Sequence, residues 1–459
     1  MNAAGILTAL ASPEGRADPY PLYSALHELG EAVQPAPGLV LVPGYDAVNK
    51  VLRDPSFTVS DAAALDRDFA GWREHPSLED FARSILNTNP PDHPRMRSVM
   101  ARAFTPRRVA ALEPAIAQLT DQLLDGMAAR GAAGEPVEFM HDFAFLLPVT
   151  VICELLGIAE ADRESFRPLA RDLTATFEQV DLSVLADADA AAIAVREYFT
   201  GLCADRRVRP RDDMVSALVE VSDADNARLS PDELLANLML LLVAGFETTT
   251  NLLGNGLRIV LGEPSLRRGL ADGSLPAGQF VTEVLRYDSP VQLTSRRATV
   301  AAEVGGVTAA PGAEVVTLLG AANRDPRRFG APDAFRPARY GPTAPDSPPI
   351  SFGAGAHFCL GAALAQLEGA VAFPRLLARF PEMVPAGDPV RRPRLLLRGH
   401  ATPPGSGASR TRAGAVWAAG PGHPPGSSRE TGPAAAGTRR RLRAGPERHR
   451  GRNGRPRQS

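Results

Sequence analysis

The chain has 459 residues, 44% of them hydrophobic, and its 50 basic and 52 acidic side chains give a formal charge of −2. That balance supplies a sizeable core and excludes a wholly disordered chain. Three cysteines without paired spacing (Cys153, Cys203, Cys359) exclude a disulfide framework and point to a reducing compartment.

The first predicted element is a short helix after Asp18-Pro19-Tyr20-Pro21, ended by Gly30. Residues 38–42 are apolar and bounded by Pro and Gly, which predicts a strand. From Pro106, Val109, Leu112, Ile116, Leu119, Leu123 and Met127 recur at steps of three and four, the pattern of one amphipathic helix. Further helices are expected at about 141–157, 160–178, 186–205 and 212–221. Ser230-Pro231-Asp232-Glu233 is a capped helix start, opening a helix to about Leu261, roughly 45 Å long. Strand-like stretches cluster over 292–319, with another at 349–352, and a final helix follows Cys359. The expected fold is mainly α with a minor β region, a single domain over 1–402.

Residues 1–13 carry no basic segment leading into an apolar run, and the most apolar stretch, 238–246, stops at Glu247. A bilayer needs about 20 such residues, so no membrane segment is expected and the protein is read as soluble, cytoplasmic and monomeric. From Pro403 onward twelve arginines face two acids, a net +10 that leaves −12 for the residues before it. Bulky apolar residues there are limited to Val416, Trp417 and Leu442, so 403–459 is expected to be disordered. The abrupt change also fits a shifted reading frame in GC-rich DNA. The near-absence of aromatic residues argues against a nucleic-acid-binding tail.

Chemistry concentrates in four places. In Phe352-Gly353-Ala354-Gly355-Ala356-His357-Phe358-Cys359-Leu360-Gly361, glycines flank a lone thiol next to a small-residue helix start. Amides and a helix N-terminus there would stabilise a thiolate, and a thiolate can be an axial ligand to haem iron. The bland alternative is a buried structural cysteine. In Ala244-Gly245-Phe246-Glu247-Thr248-Thr249, an acid and a hydroxyl interrupt a leucine-rich helix, with Ala244 and Thr248 on one face. Such a buried carboxylate is expensive unless it is used. Glu283 and Arg286 share one face of a short helix, which alone is usually a surface pair. His93 and Arg97, at i and i+4, could donate together to one anion or simply line a solvated face.

Taken together, these motifs resemble the cytochrome P450 monooxygenases of soluble bacterial type, over about residues 18–402. The resemblance implies a P450 fold holding haem b, with Cys359 as the iron ligand and Phe352 and Gly361 beside it. It implies that His93, Arg97, Arg296 and His357 hold the two propionates, with Arg297 an adjacent alternative for Arg296. Ala244, Gly245, Glu247 and Thr248 would form the oxygen-activation motif, with Thr248 a hydrogen-bond donor and Glu247 a proton relay. Glu283, Arg286 and Arg339 would be a buried charge cluster bracing the core. With no reductase domain present, electrons would come from NAD(P)H through a ferredoxin and its reductase, docking near Arg102, Arg107 and Arg108. The substrate would be an apolar small molecule under a variable segment at 60–89. Phe69, Trp72, Phe81, Phe177 and Val243 are candidate lining residues, or ordinary core. All basic residues but Lys50 are arginine, the bias of a GC-rich, actinobacterial-type genome. That flavour suggests hydroxylation or epoxidation of a secondary metabolite such as a polyketide or macrolide.

Other classes fit less well. A peroxide-driven or non-oxygenating enzyme on the same fold stays open, although the acid–threonine pair favours oxygen activation. Gly353-Ala354-Gly355 after a strand could start a dinucleotide loop, but Phe358 stands where a third glycine belongs. A cysteine hydrolase would use His357 as base, with no third group to orient it.

Overall fold

The described residues are mainly helical, with one five-stranded sheet and two two-stranded sheets. The computed structural model describes residues 1–402 except 136, 179–184, 225–228, 343–346, 385–389 and 393; the predicted tail, 403–459, lies outside the described residues. The sheet has five strands: β1 (Val33–Ala36), β2 (Leu39–Val42), β3 (Phe57–Thr58), β4 (Thr294–Ala298) and β7 (Glu314–Thr317), in the order β1-β2-β7-β4-β3. Only the β2–β7 pair is parallel. Two separate hairpins pair β5 (Ala302–Val304) with β6 (Val307–Ala309), and β8 (Val390–Arg391) with β9 (His400–Thr402). The predicted strand at 38–42 is β2, and the predicted β region at 292–319 holds β4 to β7.

The axis of the helical body is the helix Pro231–Gly262. Its start is a full capping box: the Ser230 hydroxyl accepts from the Glu233 amide, and the Glu233 carboxylate accepts from the Ser230 amide. By length and composition alone this helix could cross a membrane, yet 72% of its apolar window is buried by protein. The helix Leu146–Leu156 packs directly on it, and Gly157 (φ +78°) ends that partner in the left-handed region.

Two predicted elements are corrected. The single helix from Pro106 is two, Pro106–Ala111 and Glu113–Ala132. Pro114 lacks the N–H that a continuous helix would need there, so the chain restarts at Glu113. Residues 349–352 form turns, not a strand, with Gly353 N–H donating to the Ile350 carbonyl at 2.9 Å. Without a strand, the dinucleotide-loop reading of Gly353-Ala354-Gly355 loses its structural context. The helices predicted from 141, 160, 186 and 212 occur as Leu146–Leu156, Glu160–Leu173, Ala186–Val208 and Met214–Ala224, with a π turn at Met140–Ala144 and a 3-10 turn at Thr174–Glu178.

Candidate active site

The thiol segment is a tight loop fastened at both ends. Cys359 N–H donates to the Phe352 carbonyl at 3.0 Å, and a 3-10 turn over Gly355–His357 fills the span. Gly353 and Gly355 sit at φ +70° and +68°, where side chains are strained. At Gly355 a Cβ would also lie 2.3 Å from the Leu52 carbonyl oxygen, so this glycine lets the loop close against the helix Tyr45–Arg53. Cys359 is exposed, whereas Cys153 and Cys203 are buried. Protein still crowds the Cys359 sulfur enough for desolvation to push its thiol up, while the Gly361 and Ala362 amides and the Arg97 charge pull it down. Those amides open the helix Ala362–Arg379, the N-terminal setting that the sequence predicts for a thiolate. Burial pushes Cys153 up to about 12 and Cys203 to about 11, so both are inert thiols. Phe352 meets Phe358 edge-on at 6.4 Å.

His93, Arg97, Arg296 and His357 do converge. The His93 and His357 rings lie 4.0 Å apart, and Arg97 donates to the Phe358 carbonyl at 2.7 Å. Arg296, buried on β4, donates to the Thr294 hydroxyl at 3.1 Å and the Ser295 carbonyl at 2.7 Å. Desolvation and the two guanidiniums push His93 down to about 4. Desolvation, His93 and the same guanidiniums push His357 down to about 3. Desolvation alone lowers Arg296 to about 10. Among the described residues none of these four pairs with a carboxylate, and His93 Nε2 is buried without a partner. Two guanidiniums and two imidazoles lacking any anion fit two carboxylates supplied from outside the chain. Arg297 instead reaches the Asp68 carboxylate at 2.5 Å and the Gly312 carbonyl at 2.9 Å, so Arg296 is the member of this cluster.

The long helix brings the second motif. The Thr248 hydroxyl donates to the Ala244 carbonyl at 3.2 Å, so the expected i, i+4 pair is linked through the backbone. Gly245 belongs to helix packing: a Cβ there would lie 2.8 Å from Ile152 Cγ1. Glu247 is buried, near Asn251 Nδ2 at 3.5 Å, and forms an ion pair with Arg392.

The third cluster is buried, as the resemblance implied, and is not the surface pair that the spacing alone suggests. Arg286 Nε and Nη2 each donate to the Glu283 carboxylate at 2.8 Å, and Arg339 Nε approaches it at 3.4 Å. The remaining guanidinium donors of Arg286 reach the carbonyls of Asn323, Pro332 and Ala334.

In the predicted substrate segment, Trp72 packs in a core with Leu78, Ala82, Leu185 and Ala188, and Phe81 meets Phe177 edge-on at 4.7 Å in another. Val243 is buried and Phe69 largely exposed. Trp72 and Phe81 thus follow the core alternative. Arg102, Arg107 and Arg108 are exposed.

Two features escaped the sequence. Asp288 is buried between Arg391 (2.5 Å) and Arg398 (2.7 Å), whose charges hold its carboxyl far below the usual range. Arg392, the partner of Glu247, stands in a run of arginines with no spacing that marks it.

Residues 277–406 match the family model for cytochrome P450. Cytochrome P450 107B1 of Saccharopolyspora erythraea is 41% identical over 355 residues, covering 76% of this chain and 84% of that relative. The 6-deoxyerythronolide B hydroxylase of the same organism is 37% identical over 369 residues, covering 78% and 88%. Among solved structures, P450BioI in complex with an acyl carrier protein carrying hexadec-9Z-enoic acid superposes with a TM-score of 0.77 at 32% identity. That match covers 85% of this chain and 98% of the neighbour.

Proposed function

The chain belongs to the cytochrome P450 family of monooxygenases, and on that premise we propose that it inserts one atom of O2 into an apolar secondary metabolite of macrolactone type. The observation that carries the site assignment is the meeting of an exposed thiol, under the Gly361 and Ala362 amides, with two guanidiniums and two imidazoles that have no carboxylate partner among the described residues. When bound, haem would supply the iron that activates oxygen, with Cys359 as its thiolate ligand. His93, Arg97, Arg296 and His357 would hold the propionates and so fix the ring's orientation.

The protein's own part is proton handling and exclusion of water. Thr248 can rotate its hydroxyl from the Ala244 carbonyl to donate at the oxygen site. Glu247, one residue earlier and buried, can take a proton and hand it on. The apolar cluster that includes Phe81, Phe246 and Val243, with Phe177 and Ala244 packed against it, keeps that region dry. Electrons would come from NAD(P)H through a ferredoxin and its reductase in the cytoplasm, with Arg102, Arg107 and Arg108 as docking charges. The working domain would span 1–402. The macrolactone class rests on the 6-deoxyerythronolide B hydroxylase relative and on the arginine-biased composition.

The test is titration of the haem-loaded chain with 6-deoxyerythronolide B, read by the haem spin-state shift, followed by turnover under isotopically labelled O2. A shift and a product carrying one labelled oxygen are expected. Turnover driven by peroxide but not by O2 and reductant would replace this reading with the peroxide-driven one.

A further inference from the structure

A cleft of about 440 Å3 opens where the helix Tyr20–Leu29, the long helix and the β8–β9 hairpin meet, and it shares no lining residue with the thiol site. Its volume is that of a small-molecule pocket. Four arginines line it: Arg258, Arg324, Arg391 and Arg398. Their charges are unequally answered. Buried Asp288 is already spent, accepting from Arg391 at 2.5 Å, from Arg398 at 2.7 Å and from the Tyr20 hydroxyl at 3.1 Å. One carboxylate thus serves two guanidiniums. Arg258 is exposed and pairs with no described residue, and Arg391 Nε and Arg398 Nη2 donate to none.

The other two lining carboxylates do little to restore the balance. Asp18 and Asp333 are exposed, where salt screens them, and Asp333 is committed to Arg324 at 3.1 Å. Arg324 in turn is a fixed, flat part of the wall. Its guanidinium lies 3.6 Å from the Tyr20 ring centroid and 3.9 Å from that of Tyr287, and it donates twice to the Tyr287 carbonyl. The excess charge is felt at His400, which is fully buried with both ring nitrogens unpartnered among the described residues. Desolvation and then Arg391 hold that imidazole neutral, and Arg258 and Arg398 push the same way against the pull of Asp288. Counting Arg258, Arg391 and Arg398 against Asp288, two positive charges are unanswered. A carboxylate would bring one charge in one plane; a tetrahedral dianion brings two and accepts from several sides.

We propose that this cleft binds a phosphate dianion, free or as a small monoester, between Arg258, Arg391 and Arg398. Arg391 and Arg398 keep Asp288 and offer their spare Nε and Nη2 donors, while Arg258 gives its whole planar fork. The Tyr20–Arg324–Tyr287 layer supplies a flat wall for the organic part of a monoester. No bond is made or broken there, and the site stands independently of the monooxygenase reading. Arg391 also donates to Asn255 on the long helix at 2.7 Å, and Arg398 to the Ala17 carbonyl at 2.8 Å. An anion held by both therefore ties the hairpin, the long helix and the N-terminal segment together, and its binding stabilises the folded chain.

The test is calorimetric titration of the full, haem-loaded chain, and of its R258Q and D333N variants, with inorganic phosphate and with glycerol 3-phosphate. Ionic strength is held constant with chloride, at about pH 8, where phosphate is a dianion. Loading with haem keeps the His93, Arg97, Arg296 and His357 cluster occupied. The parent should bind one phosphate per chain. R258Q should weaken that binding about tenfold or more, as expected for the loss of a charge-assisted contact. Because Arg258 has no partner to lose, R258Q should melt with the parent in chloride and lose the rise in melting temperature that phosphate gives the parent. D333N removes a rim carboxylate and should tighten binding about threefold, a gain that misfolding cannot imitate. Tighter binding of glycerol 3-phosphate than of phosphate assigns the site to monoesters, and the reverse assigns it to the free anion. No saturable binding by the parent overturns the proposal. So does an R258Q affinity equal to the parent's, which places the anion on other arginines, or a D333N affinity no tighter than the parent's.

Discussion

Replacing Glu283 by glutamine keeps its shape and removes the carboxylate that, among the described residues, alone pairs with buried Arg286. The Glu283 carboxylate accepts from Arg286 twice at 2.8 Å, from the Arg336 amide at 2.6 Å and from Arg339 at 3.4 Å. Every one of those partners is a donor. A glutamine amide turns one of its two ends into a further donor, which must face them. It also leaves the Arg286 guanidinium, 0% exposed, with no counter-charge among the described residues. Removing one partner of such a pair costs about 3–5 kcal/mol, a large share of a domain's net stability. Urea unfolding of E283Q, R286Q and the double variant measures it. Each single variant should lose about that amount. The double should lose less than the sum by about 0.5–3 kcal/mol, because the second change no longer strands a charge. A loss under about 1 kcal/mol in E283Q, or strict additivity, would refute the claim that this cluster braces the core.

The other predictions are smaller in scope. Gly245→Ala gains helix propensity of about 1 kcal/mol but drives a methyl to 2.8 Å from Ile152; overpacking of about 1–3 kcal/mol should win, with Ile152→Val restoring part of the loss in thermal unfolding. Thr248→Ala should keep the spin-state shift and reductant consumption while releasing peroxide instead of product; unchanged coupling would remove Thr248 from the proton path. His400 is fully buried, and desolvation, aided by Arg391, pushes it down to about 3 from an ordinary 6.5. The unfolded chain therefore binds a proton that the folded chain refuses. Stability is full above pH 6.5 and falls with pH toward 3, by about 1.4 kcal/mol per unit. His400→Asn should flatten that slope by up to one proton, and an unchanged slope would show that the imidazole is solvated or paired in solution.

What the sequence makes legible is what sits close together along the chain or repeats at a helical step. The thiol loop is readable because its strained turns demand glycine within a few residues of Cys359, as the φ values of Gly353 and Gly355 bear out. Glu283 and Arg286 are one helical turn apart, and their meeting is intrinsic to the spacing. The break at Leu112 was hidden because the apolar rhythm runs through it, although Pro114 marks it. Residues 349–352 are β-like in composition, but the Asn323 side chain captures the Ile350 amide at 2.7 Å, which takes that donor from any strand ladder. Arg392 and Asp288 were invisible for a different reason. Their partners are 145 and 103 residues away, and nothing in a run of arginines says which will be buried.

The most direct test is the carbon monoxide spectrum of the reduced, haem-loaded protein beside Cys359→His. The parent chain should show the strongly red-shifted Soret band of a thiolate-ligated haem, and the variant should lose it while still holding haem through His93, Arg97, Arg296 and His357. A parent protein that binds haem without that band, or a variant that keeps it, would contradict ligation by Cys359.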